Sequence, residues 1–185
     1  MRLAVLLAAL AALGGCLPAA TPLAAGNAAA GDGGDDAGGG APAFRPEAFF
    51  AGRTTGDAHL TIRMRAAQRL RVESVGAAQP DGSFRLDQTI AYPDGHADRR
   101  TWTMRSLGAG RYESTLTPDA RGEVRVEAQG STLRIRYRMG RTTTMDQTLA
   151  LRPGGQAADN VATVRMMGVP IARLTEVITR AGAAG

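Results

Sequence analysis

From Leu60 onward the chain alternates between apolar and polar positions. Leu60, Ile62 and Met64 are interleaved with Thr61, Arg63 and Arg65. Leu70 and Val72 are interleaved with Arg69, Arg71 and Glu73. Phe84, Leu86, Gln88, Ile90 and Tyr92 form the next row, followed by Trp102 and Met104, then Tyr112 and Leu116. Val124 and Val126 sit among Glu123, Arg125 and Glu127. Leu133, Ile135, Tyr137 and Met139 sit among Arg134, Arg136 and Arg138, and Met145, Gln147, Leu149 and Leu151 close the series. A period of two marks strands with one dry face and one wet face.

Turn signals separate the rows. They are Pro80-Asp81-Gly82, Pro93-Asp94-Gly95, Gly108-Ala109-Gly110, Pro118-Asp119, Gln129-Gly130, Met139-Gly140 and Pro153-Gly154-Gly155. Each offers a fixed φ or a permitted positive φ where a hairpin needs one. The pattern predicts an all-β fold, an antiparallel meander of about nine or ten strands. Such a sheet, dry on one face, removes its exposed edges by closing into a barrel. The last stretch is ambiguous by periodicity. Ile171, Leu174 and Ile178 have helical spacing, with Pro170 at a first turn, whereas Leu174, Glu176 and Ile178 fit a strand.

The first 43 residues have no such pattern. Arg2 precedes an unbroken apolar run from Leu3 to Leu13, which ends in Leu13-Gly14-Gly15-Cys16. Eleven residues rise about 17 Å as a helix, too little to span a hydrocarbon core of about 30 Å. The stretch reads as a secretion signal over residues 1–15. Its end resembles the lipobox of bacterial lipoproteins, an aliphatic residue and two small ones before the only Cys of the chain. That resemblance implies a mature chain starting at a lipidated Cys16, anchored to a membrane by its acyl chains. In that class an Asp after the Cys retains a protein at the inner membrane, so Leu17 implies the periplasmic face of the outer membrane.

Residues 16–43 read as a flexible linker. Ala, Gly, Pro and Asp fill 23 of the 27 positions from 17 to 43. Such a composition cannot offset its own ordering entropy. Its end-to-end distance as a coil is about 30 Å. Residues 44–185 then make one folded domain.

Charge changes this picture little. The 185 residues include 22 Arg and no Lys against 17 acids, a net +5. Arg63 and Arg65 share a face in the alternation, and so do Arg134, Arg136 and Arg138. They form a basic exterior suited to anionic head groups or an acidic envelope protein. The plainer alternative is a solvated sheet face, since alternation demands polar residues there. A periplasmic address leaves no nucleic acid to bind. A single Cys excludes an internal disulfide and a Cys-based zinc site.

Several scattered motifs resemble a bacterial lipoprotein family known as domain of unknown function 3833. Phe50-Ala51-Gly52 with Gly56 resembles its opening motif, and Tyr92-Pro93-Asp94-Gly95 with Arg100-Thr101-Trp102 its central hairpin. Tyr112, Arg121-Gly122-Glu123, Gly130, Leu133 and Tyr137 continue the register. Asn160, Ala162-Thr163, Gly168-Val169 and Glu176-Val177 resemble the closing segment, which implies a strand there. The resemblance implies a lipocalin-like barrel and no particular activity. The family's Asp-Asp-Trp-Met-Tyr-Leu run reads Met145-Asp146-Gln147-Thr148-Leu149 here, and its Asn-Arg pair reads Asn160-Val161.

The inward rows carry the candidate chemistry. Phe84, Tyr92, Trp102, Met104, Tyr112 and Tyr137 are positioned to line an apolar cavity, with Gln88 and Gln147 as polar anchors. Met64, Met139 and Met145 belong to the same rows. A barrel of this size either holds a small apolar or lipid-like ligand or fills its interior with side chains. The catalytic inventory is thin, and the expectation is a non-enzymatic protein without cofactor or metal. Asp94, His96 and Asp98 lie together in a hairpin tip, where Asp serves the turn itself. A third reading, a lipid-acting enzyme, would use Asp146, Glu176 or His96 as base.

Overall fold

The computed structural model describes residues 42–182; the leader, Cys16 and nearly all of the linker lie outside them. One turn of helix, α1 (Pro46–Phe49), precedes ten strands. These are β1 (Gly52–Ile62), β2 (Gln68–Ala78), β3 (Phe84–Ala91), β4 (Ala97–Gly108), β5 (Arg111–Thr117), β6 (Val124–Gln129), β7 (Thr132–Arg138), β8 (Thr143–Leu151), β9 (Ala157–Met166) and β10 (Val169–Arg180). Each strand pairs with its neighbour in sequence, and β10 returns to pair with β1, so the sheet is a closed barrel.

Closure settles the ambiguous last stretch. Residues 169–180 are a strand, not a helix. On one side Glu176 lies opposite Asn160 of β9, and on the other opposite Ala58 of β1. A helix there would leave the hydrogen-bonding groups of two edge strands unpaired.

The inward rows pack as the alternation requires. Leu70, Val72, Leu86, Trp102, Val126, Leu133, Leu149 and Ala158 are all buried. The outward positions carry Arg, Glu, Asp and Thr instead, as along Arg69, Arg71 and Glu73 of β2. A barrel that spans a membrane presents the reverse, an apolar band on its outside. This barrel is built to stand in water.

The first row ends earlier than its pattern. β1 stops at Ile62, and Arg63, Met64 and Arg65 form the turn into β2. The Arg63 amide donates to the Ile171 carbonyl and the Arg65 amide to that of Ile62. Met64 has φ 62° and is 85% exposed, so it lines no cavity. Arg63 and Arg65 share a turn rather than a strand face. Alternation ran past the strand's end because this turn holds no Gly or Pro to mark it.

Candidate functional site

The two ends of the barrel differ. One end holds the start of β1 and the turns after β2, β4, β6 and β8. Phe44, Phe49 and Phe50 cover it. Pro46 presets the first helical φ of α1. The short turn brings Phe49 to 5.4 Å from Phe44 and 4.9 Å from Phe50, measured between ring centroids. The Phe44 amide donates to the Gly130 carbonyl at 2.8 Å, and the Tyr112 hydroxyl donates to Glu47 Oε2 at 3.1 Å. Gly76 is where this plug presses closest. A Cβ there would lie 2.2 Å from the Phe50 carbonyl oxygen and 2.5 Å from the Phe84 ring.

Among the described residues the other end has no such cover. Leu60, Ile62, Ile90, Tyr92, Met139 and Leu174 point along inward rows yet are only half-buried. Exposed Met64, Met167 and Val169 stand on its rim. The interior therefore grades from a filled core near the plug to a mouth. Trp102 of β4 meets Tyr137 of β7 edge-on at 6.0 Å, which fills the section between them. These two strands are not neighbours, so the contact crosses the barrel.

Polar groups gather on the mouth side of that contact. Gln88 Oε1 accepts from Trp102 Nε1 and from Arg100 Nε, both at 2.8 Å. Its amide Nε2 donates to Ser74 Oγ at 3.0 Å. Arg100 also reaches Asp119 at 3.6 Å, with both side chains largely covered. Thus Arg100 is neutralised and held, and the Gln88 carbonyl oxygen is fully engaged. Gln88→Ala is expected to lower the unfolding free energy by about 1–3 kcal/mol, because it strands buried donors on Trp102 and Arg100. Urea unfolding at neutral pH checks this; an unchanged midpoint and slope would show the network to be idle.

Glu176 and Asn160 form a second polar pair inside. Asn160 Nδ2 donates to Glu176 Oε2 at 2.7 Å. Glu176 lies against bare backbone, since a Cβ on Gly56 would fall 1.8 Å from its Oε1. Burial holds its carboxyl above the usual range, outweighing the Asn160 hydrogen bond and the attraction of Arg100. The stabilising neutral form is fully present below the ordinary glutamate value of 4.5, and its contribution is lost as pH rises through the higher folded value. Glu176→Gln, neutral throughout, is expected to gain on the wild type between about pH 4 and pH 8. The gain is at most about 1.4 kcal/mol per pH unit. Unfolding curves of both proteins across that range check it; a pH-independent difference would contradict the buried carboxyl.

The remaining interior polar atoms are unusual. Thr54 Oγ1, Ser114 Oγ, the Tyr137 hydroxyl and Asn160 Oδ1 are buried without a hydrogen-bond partner. All four lie on inward rows. Burial pushes the Tyr137 phenol up to about 12.

The structure places the cavity candidates on one surface. Phe84, Gln88, Trp102, Met104 and Tyr137 are buried, while Tyr92, Tyr112 and Gln147 are half-buried. Tyr112 belongs to the plugged end, through Glu47. Tyr92 stands at the mouth, stacked on His96 at 4.0 Å. Arg134, Arg136 and Arg138 share the outer face of β7. Arg134 lies opposite Glu127, and Arg136 is paired with Asp146. That row is therefore partly neutralised.

The three candidate bases are not brought together. Asp146 is outside, bonded to Arg136 and near Arg165. His96 Nδ1 is bound to Asp94 at a hairpin tip, and Glu176 is inside. Asp98 turns away from that tip to the Tyr92 hydroxyl, whose pKa is raised by burial first and by Asp98 second. Among the described residues no three His, Cys, Asp or Glu gather as a metal site. Arg100, Asp119, Ser74 and Asn160 were missed in the sequence. Arg100 shares the inward phase of Trp102 and Met104, and Asn160 that of Ala158 and Ala162, so phase was the signal that could have found them.

A closed, water-standing barrel with one plugged end and one mouth is a lipocalin-like fold. The chain belongs to the family described as "Protein of unknown function (DUF3833)", whose model matches residues 28–180. No curated protein matches it. Among solved structures it resembles the S-type phycobiliprotein lyase CPES from Guillardia theta, with a TM-score of 0.58 and 6% identity over 74% of this chain and 91% of that one. A Nostoc punctiforme protein of unknown function from the DUF3598 family gives 0.58 and 14% identity, over 76% of this chain and 50% of its own. Rv2717c from M. tuberculosis gives 0.53 and 15%, over 72% and 93%. At these identities the likeness is one of fold alone.

Proposed function

We propose that this protein is a membrane-anchored carrier, whose barrel takes a small apolar or lipid-like ligand through the open end. The observation that carries this reading is the gradient of burial along the inward rows. Six residues of core type, Leu60, Ile62, Ile90, Tyr92, Met139 and Leu174, are only half-buried toward one end, while a phenylalanine plug covers the other, where half-buried Tyr112 is tied to Glu47. A protein with a merely structural barrel has no need of such asymmetry. Four unpartnered polar atoms inside further favour an occupant that brings its own hydrogen bonds. The leader and Cys16 supply the anchor, and the linker gives the barrel reach from the membrane. The proposed setting is the periplasmic face of the outer membrane. Docking to an envelope protein through the Arg-rich face is the weaker reading, because Asp146 already pairs with Arg136 and Glu127 stands opposite Arg134.

Trp102 makes the test direct, since it is the only tryptophan and faces inward. Titrating the full chain with N-phenyl-1-naphthylamine, an uncharged apolar fluorophore, should give saturable binding with energy transfer from Trp102. Emission that rises without saturation, or no transfer, would instead mean a filled interior.

A further inference from the structure

The interior offers two places for a ligand's polar head, and their chemistry differs. The first is Arg100. Its Nε is bound to Gln88 Oε1 and its Nη1 lies 3.6 Å from Asp119. An anionic head would have to displace a carboxylate already in place. The second is Glu176 with Asn160, on adjacent strands β10 and β9.

Glu176 has no cationic partner among the described residues. Its one hydrogen bond, from Asn160 Nδ2, occupies Oε2. Oε1 lies over the bare Cα of Gly56, where any side chain would collide with it. The absence of a Cβ at Gly56 is what gives the carboxyl its place. The carbonyl Oδ1 of Asn160 is itself buried and unpartnered. The pair therefore presents two acceptors, Glu176 Oε1 and Asn160 Oδ1, with no donor assigned to either. The charged groups acting on Glu176 are Arg100, which favours its ionised form, and Asp57, which opposes it. Asp57 points outward and is exposed, so among the described residues Arg100 is the one cation acting on Glu176, and it is already claimed.

We infer that Glu176 and Asn160 form the head-group subsite of the lumen, and that it selects a ligand bearing an N–H donor, an ammonium above all, on an apolar body. This deepens the carrier reading and rests on it. An ammonium has three donors and no acceptor, which matches two oxygens left without a donor, one of them on a carboxylate. A carboxylate head would meet like charge and unanswered oxygens. A buried carboxyl also gains most from a cation it can desolvate with. Burial raises the carboxyl's affinity for a proton in the empty barrel, and a ligand's positive charge would take the proton's place.

Three probes of equal length separate the alternatives: dodecylamine, dodecanol and dodecanoate, each titrated into the full chain below its micellar range. Trp102 emission is the readout. The expected order is amine tightest, by about tenfold over the alcohol, which is about 1.4 kcal/mol, with dodecanoate weakest. Glu176→Gln should bring the amine down to the alcohol while leaving the alcohol unchanged. Wild-type protein at about pH 4, with Glu176 protonated, should lose the amine preference in the same way, and this arm does not depend on how the variant folds. Equal binding of all three probes would keep the carrier reading and overturn the subsite. So would an amine preference that survives Glu176→Gln. If no probe moves Trp102 emission, the carrier reading falls and the subsite with it.

Discussion

Phe49→Ala is expected to lower the unfolding free energy by about 3–5 kcal/mol, a large share of what a domain of this size has. Phe49 is 3% exposed and packs between Phe44 and Phe50. Its removal subtracts transfer energy and leaves a cavity that the rest of the plug cannot fill. α1 is a single turn and has no other apolar side chain besides Pro46 and the small Ala48 to compensate. A second consequence separates plug from ordinary core. The variant should admit water from the sealed end, so amide exchange near Gly76 and Gly130 should rise more than near the Trp102–Tyr137 contact. Chemical unfolding measures the first effect and hydrogen exchange the second. A loss under about 1 kcal/mol, with exchange unchanged, would mean that Phe44 and Phe50 close the barrel alone.

Cys16→Ala is expected to have an all-or-none effect on location. The thiol is the only atom in the chain on which the lipobox chemistry can be performed. Two acyl chains already give stable anchoring, and without them the barrel's polar exterior has little affinity for lipid. The variant should leave the membrane fraction or accumulate with its leader uncut. Fractionation with mass analysis of the N-terminus checks this. A variant that stayed membrane-bound and correctly processed would remove the anchor from the account.

Much of the fold was legible because one signal, period two, covers nearly every strand. Leu133, Ile135 and Tyr137 against Arg134, Arg136 and Arg138 leave no other reading of β7. The signal failed where strands end without a marked turn. Arg63, Met64 and Arg65 continue the alternation into a loop, because a strand's end is set by its partner's length and not by its own residues. The plug was invisible for a related reason. Four helical residues are too few to show a period, so Phe44, Phe49 and Phe50 read as the start of a domain rather than its stopper.

The site was legible in part. Gln88 and Gln147 stood out as polar residues in apolar rows. Glu176 fell in phase with Leu174 and Ile178 once those residues were a strand, but periodicity allowed a helix there as well. Arg100 was hidden by its neighbours, since Arg99 and Arg100 together look like a polar patch. Only the register of β4 against β3, which sets Arg100 opposite Gln88, turns one of the two arginines inward. Asn160 needed β9 to be recognised first, and the pairing of β9 with β10 brings it to Glu176. Pairwise chemistry across strands depends on register, and register is a property of the closed sheet.

The most direct test of the account is a native mass spectrum of the full chain purified from its own cells. The carrier reading predicts a discrete extra mass on the folded protein, one ligand per barrel, that is lost on unfolding. Isolation of that mass would identify the ligand, and a nitrogen-bearing head on an apolar body would agree with the Glu176 subsite. A clean mass of the protein alone, unchanged after challenge with apolar amphiphiles, would contradict the carrier reading and leave a barrel filled by its own side chains.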